Sequence, residues 1–81
     1  MNPTDRELIA QTEKWLEKLR KERKNVKVER PDKGLATAIE NLDAYISDAS
    51  HFIEKKDYIR AFEAVIYAWG ILETLRWLDL A

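Results

Sequence analysis

From Asp57 to Leu80 the chain repeats its apolar positions with the period of a helix. At about 100° per residue, Tyr58, Ala61, Phe62, Val65, Ala68, Trp69, Leu72 and Leu75 form one broad stripe. Arg60, Glu63, Tyr67, Gly70 and Thr74 fall on a narrow opposite strip, which is expected to face water. Asp57 stands where an N-cap belongs, its carboxylate placed to accept from the free amides of the first turn. A helix covered by two neighbours needs a wide apolar arc, but this arc spills over at both edges. Ile59, Ile66 and Trp77 flank it on one side, and Ala64, Ile71 and Leu78 on the other. Gly70 lies in the helix interior, where glycine costs roughly 1 kcal/mol relative to alanine. It marks either a close approach of another backbone or a cost that the helix tolerates. Arg76 and Asp79 land on the core stripe, so the last turn is expected to overrun the bundle and carry Trp77, Leu78 and Leu80 to its rim.

Two further amphipathic segments read as helices that cover this one. The first starts at Asn2-Pro3-Thr4-Asp5-Arg6-Glu7, where Thr4 and Glu7 stand at capping-box spacing with acids in the first turn. Leu8, Thr12, Trp15, Leu16 and Leu19 mark its apolar face, with Ile9 on the border. The pattern fades after Leu19, and the helix is expected to fray between Arg23 and Asn25. Lys24 to Lys33 is the one long connection; Val26 and Val28 are placed to tack it down, and Pro31 blocks a continuous helix. In the second segment Leu35, Ile39, Leu42, Ile46, Ala49 and Ile53 alternate four- and three-residue steps, widened by Ala38, Tyr45 and Phe52. Lys55-Lys56-Asp57 then leaves room only for a tight turn, which makes the second and third helices antiparallel neighbours. No stretch alternates with the period of a strand, and no internal repeat is present. The pattern predicts an all-α, three-helix up-down-up antiparallel bundle in a single domain, 1–81, with helices at about 4–24, 33–55 and 57–79.

Length and composition narrow the picture. A chain of 81 residues buries only about 60–65% of its unfolded surface, so the core is modest. Without cysteine, neither a disulfide nor a thiolate metal site reinforces it. A cytoplasmic protein is expected, since no apolar run approaches the roughly 18 residues of a membrane span and the N-terminus lacks a signal-peptide profile. The net charge is −1 on a chain that is 36% Asp, Glu, Lys and Arg, a thermophile-like composition.

The run Ala49-x-x-Phe52-x-Glu54-Lys55-x-Asp57-Tyr58-x-x-Ala61-Phe62-Glu63-Ala64-x-x-Tyr67-Ala68-Trp69-Gly70-Ile71-Leu72 resembles the signature of a family of short archaeal proteins known only as a domain of unknown function. The resemblance covers about residues 38–75. It implies a small three-helix bundle and an archaeal origin, and it implies no activity, cofactor or substrate. The chain departs from the pattern at two positions. Lys56 stands where the family pattern has glycine before the aspartate of the turn, and Glu73 where it has aspartate after the Ile-Leu pair.

Candidate chemistry is sparse. His51 is the single histidine, with Asp48 three residues before it. On the helical wheel it points away from the seam, and a metal site in a bundle core needs several carboxylates and a second histidine. A surface histidine is the expectation. Serines occur only at 47 and 50, and Gly34 and Gly70 are isolated, so no nucleophile set or phosphate-cradling loop can be assembled. No enzyme activity and no cofactor are expected. From Lys14 to Lys33, nine Lys or Arg stand against four acids, a local net charge of +5. Lys18, Lys21, Lys24, Lys27 and Arg30 are therefore a candidate basic patch for nucleic acid, with affinity that falls steeply with salt. Against it, Lys14, Lys18 and Lys21 lie opposite the apolar face, and Trp15 is expected in the core rather than as a platform for bases. A plain solvated face is the stronger expectation.

The surplus apolar edge therefore leads. Ile59, Ile66, Tyr67, Gly70, Trp77, Leu78 and Leu80 form a candidate interaction surface, for self-association as a dimer or for docking a protein partner. The open alternative is that the 24–33 connection, through Val26 and Val28, covers that edge.

Overall fold

The computed structural model describes residues 2–28 and 32–80. Three helices follow one another: α1 (Pro3–Lys24), α2 (Lys33–Glu54) and α3 (Tyr58–Trp77), with no strand among the described residues.

The start of α1 differs from the capping box that the sequence predicts. Asn2 is the N-cap, and its side-chain oxygen accepts from the Asp5 amide at 2.8 Å. Pro3 takes the first helical position, where its fixed φ and missing N–H suit the turn. Thr4 is thus inside the helix, and the Glu7 carboxylate accepts from Gln11 at 2.9 Å instead of reaching back to a cap. Asp57 caps α3 as expected, accepting from the Arg60 amide at 3.2 Å, and Asp32 caps α2, accepting from the Leu35 amide at 2.7 Å.

Two helix ends share one device. At the end of α2, Lys56 has φ 59°, the Asp57 amide donates to the Phe52 carbonyl at 2.8 Å, and the Lys56 amide donates to that of Ile53 at 2.9 Å. At the end of α3, Asp79 has φ 56°, with Leu80 donating to the Leu75 carbonyl at 2.8 Å and Asp79 to that of Arg76 at 3.1 Å. Both are Schellman motifs, which satisfy the last carbonyls of a helix through one left-handed residue. The second of them closes α3 at Trp77 rather than at residue 79. The first gives a physical reason for the glycine that the resemblance implies at the turn, because glycine carries no Cβ to clash in the left-handed region. Lys56→Gly is therefore expected to stabilise the protein by about 1 kcal/mol, raising Tm by roughly 4–8 °C. Thermal unfolding followed by circular dichroism checks this, and an unchanged or lower Tm would contradict it.

The helices form an up-down-up bundle with α3 in the middle. Asp5, Leu8 and Ile9 share a hollow with Tyr58 and Ile59, while Glu22 near the other end of α1 accepts from Arg76 at 2.6 Å. α1 and α3 are therefore parallel, and the tight turn at Lys55–Asp57 returns α3 antiparallel to α2. α1 leans on α3 and hardly touches α2. The bundle is long and narrow, 47 × 19 × 16 Å.

The core runs along the seam of α3. Leu35, Leu42 and Ala49 face it from α2, and Thr12, Leu16 and Leu19 from α1. Thr12 is tolerated there because its hydroxyl donates to the Leu8 carbonyl at 2.6 Å. α3 contributes Ala61, Ala64, Val65, Ala68, Leu72 and Leu75. Its inner surface thus mixes three alanines with Val65, Leu72 and Leu75.

A candidate interaction face on the third helix

The core face of α3, Ala61, Ala64, Val65, Ala68, Leu72 and Leu75, does not take up all of its large apolar side chains. Ile59, Ile66 and Trp77 are 66%, 52% and 80% exposed, and Tyr67, Leu78 and Leu80 are exposed as well. An ordinary surface helix shows mainly polar residues outside its core stripe, whereas α3 exposes these large apolar residues beside Arg60, Glu63, Glu73 and Thr74. Of the two overflowing edges, the Ala64/Ile71 side is buried or half-buried against the bundle, whereas the Ile59/Ile66/Trp77 side faces solvent. Val26 from the 24–33 connection packs against the core, and the Ile59/Ile66/Trp77 edge stays exposed all the same.

The face has relief. Gly70 lies beside Ile66, and a Cβ built on it meets nothing within 4 Å. Among the described residues no backbone lies within 4 Å of that point, so no close approach within the chain accounts for this glycine. Gly70→Ala is accordingly expected to stabilise the isolated chain by about 1 kcal/mol, read as a higher denaturation midpoint at high dilution. A lower midpoint would contradict it.

Two shallow grooves meet at Ile66 and Gly70. One lies toward α1, walled by Trp15, Phe62 and Trp69 with Lys18 and Glu73 at its rim. The other lies toward α2, walled by Ala38, Tyr67, Ile71 and Leu75. Aromatic contacts fix both walls. The Trp15 and Trp69 rings meet edge to face at 5.8 Å, and the Trp69 indole donates to the Trp15 carbonyl at 3.2 Å. Tyr67 stacks on Tyr45 at 5.5 Å. Both walls are thus tied to α1 and α2 by ring contacts and one hydrogen bond.

Trp15 corrects the sequence reading. It is a rim residue, 36% exposed, with its indole donating to Gln11 at 3.1 Å and Lys18 lying over its ring at 4.8 Å. The reason is that α1 leans on one neighbour and so buries only a narrow stripe centred on Thr12, Leu16 and Leu19. The position of Trp15 on the border of that stripe in the helical wheel is the signal that marks it. The aliphatic stem of Lys18 likewise bends toward the apolar rim instead of standing opposite it.

The basic segment is partly consumed by the bundle itself. Arg23 forms a two-pronged pair with Asp43 at 2.6 and 3.1 Å, and this hydrogen bond outweighs burial to hold the guanidinium above its usual pKa. Arg20 donates to Ser50. Lys21, Lys24 and Lys27 are exposed, and Arg30 lies outside the described residues. His51 is exposed beside Phe52, and no cluster of metal-ligating side chains occurs among the described residues. None of the described helices is long and apolar enough to cross a membrane.

Comparison with known proteins agrees with this architecture. The family model for proteins of unknown function DUF357 matches residues 9–81. A crystal structure of a DUF357 protein from Archaeoglobus fulgidus is similar to this chain, with a TM-score of 0.78 and 38% identity over 95% of this chain and 93% of that one. No curated protein matches.

Proposed function

The chain belongs to the DUF357 family, and from that premise we propose that it is a non-enzymatic protein-interaction module whose working surface is the outer face of α3. The observation that carries this reading is the apolar surplus of α3: with its core face already filled by Ala61, Ala64, Val65, Ala68, Leu72 and Leu75, the helix still turns Ile59, Ile66, Tyr67 and Trp77 to solvent. Contiguous apolar surface of this kind is costly to leave in water and marks contact sites in soluble proteins. Aromatic residues ordered along its walls add the type of side chain that dominates binding energy at interfaces.

A role in binding nucleic acid through Lys18, Lys21, Lys24, Lys27 and Arg30 has less support. Arg23 and Arg20 of the same segment are turned toward Asp43 and Ser50, and Lys18 lies over Trp15. The test of the leading reading is a charge at the centre of the face. Ile66→Glu or Trp77→Glu is expected to abolish association while leaving helicity intact, and association that survives both would remove this surface.

A further inference from the structure

We propose that the occupant of the α3 face is a second copy of this chain, laid antiparallel about a two-fold axis that crosses α3 at the height of residue 68. This rests on the interaction reading above and specifies its partner and register.

The register comes from spacing. On a helix of about 100° and 1.5 Å per residue, positions 59, 66, 70 and 77 lie within about 20° of a single line about 27 Å long. The pairs 59/77 and 66/70 share one midpoint, residue 68. Reversing a second copy about that midpoint sets Ile59 against Trp77 and Ile66 against Gly70, twice each, as a two-fold interface requires. Gly70 then has a use that the single chain does not give it. The space its missing Cβ leaves open is a notch for the branched side chain of Ile66 from the other copy. Glu63 and Glu73 fall on opposite shoulders of the line and do not meet across the axis.

Charge favours the antiparallel sense. α1 runs parallel to α3 and borders the face: Glu7 lines a groove with Phe62 near one end, and Lys18 lines the groove with Ile66 and Gly70 nearer the other. The first half of α1 carries Asp5, Glu7 and Glu13 against Arg6, whereas the second leaves Lys14, Lys18, Lys21 and Lys24 against Glu17, since Arg20, Arg23 and Glu22 are engaged by Ser50, Asp43 and Arg76. An antiparallel two-fold keeps both α1 helices on one flank of the pair, with the acidic half of one toward the basic half of the other. Ile59, Ile66 and Trp77 on the line are each more than half exposed, with Tyr67 to one side, so an apolar strip runs its whole length.

The chain lacks cysteine, which makes the register directly testable. Ile59→Cys and Trp77→Cys chains, distinguished by tags of different mass, are mixed in equal amounts in a glutathione redox buffer and the disulfide products are weighed. The expected result is the mixed product, joining position 59 of one chain to position 77 of the other, far above its statistical share. Adding Ile66→Glu to both chains is expected to abolish it. A dimer giving mainly like-with-like disulfides overturns the antiparallel register while leaving the interaction reading intact. A native chain that is monomeric at every concentration overturns the second copy as occupant, leaving the face to a different protein. A dimer that persists with Ile66→Glu overturns both, because association then uses another surface.

Discussion

Leu72→Ala is expected to leave a large fraction of the protein unfolded well below the native Tm. Leu72 is fully buried on α3, in the cluster shared by all three helices. Truncating a leucine in such a place removes its transfer free energy and leaves a cavity, about 2–5 kcal/mol together. A domain of this length has a total stability of only about 4–12 kcal/mol, so one side chain carries a large share of it. The corresponding fall in Tm is roughly 10–30 °C. Urea denaturation followed at the helical circular-dichroism band reads the effect, with Ile59→Ala as the control. Ile59 is mostly exposed, so its truncation should change the stability of the isolated chain by no more than about 0.5 kcal/mol. Equal losses for the two variants would mean that the assignment of inner and outer faces of α3 is wrong.

Ile66→Glu should have the opposite profile: little effect on the folded chain and a large one on its assembly. Glutamate is a good helix former and Ile66 is half in water, so the monomer tolerates the change. In a two-fold interface the substitution occurs twice, and each copy would bury a carboxylate without a partner. The expected weakening of the dimer is at least about 100-fold, each tenfold being about 1.4 kcal/mol. Sedimentation of the variant beside the native chain checks it, with helicity measured on the same samples.

Much of this architecture is legible in the sequence, and particular residues show why. The 3.6-residue period of the apolar positions places three helices, and Asp57 marks the start of the third because a short carboxylate before an apolar run can accept from the free amides of the first turn. The ends are less legible. Asn2 rather than Thr4 caps α1 because Pro3 claims the first helical position. α3 stops at Trp77 because Asp79 adopts a left-handed conformation, which aspartate visits too seldom for a sequence pattern to mark it. The exposure of Trp15 does not follow from the pattern, since periodicity gives the direction of an apolar face but not how many neighbours cover it. The candidate face on α3 is visible as surplus, an arc wider than two neighbours need. Its grooves are not, because the walls join residues as distant in the chain as Trp15 and Trp69 or Tyr45 and Tyr67.

The departure at Lys56 illustrates how a family pattern gains physical content. A glycine expected there is an abstract preference until the backbone shows φ 59° at that position. Lysine meets the same requirement at a cost, and the turn into α3 keeps its geometry because Asp57 serves both helices. Its amide closes α2 and its carboxylate opens α3.

The central claim is that the outer face of α3 is a contact surface between copies. The most direct measurement is absolute mass by light scattering behind a sizing column, over a wide range of loading concentration, for the native chain and Ile66→Glu. The account predicts twice the 9.5 kDa chain mass for the native protein and the single-chain mass for the variant. A single-chain mass for both at every concentration would contradict it.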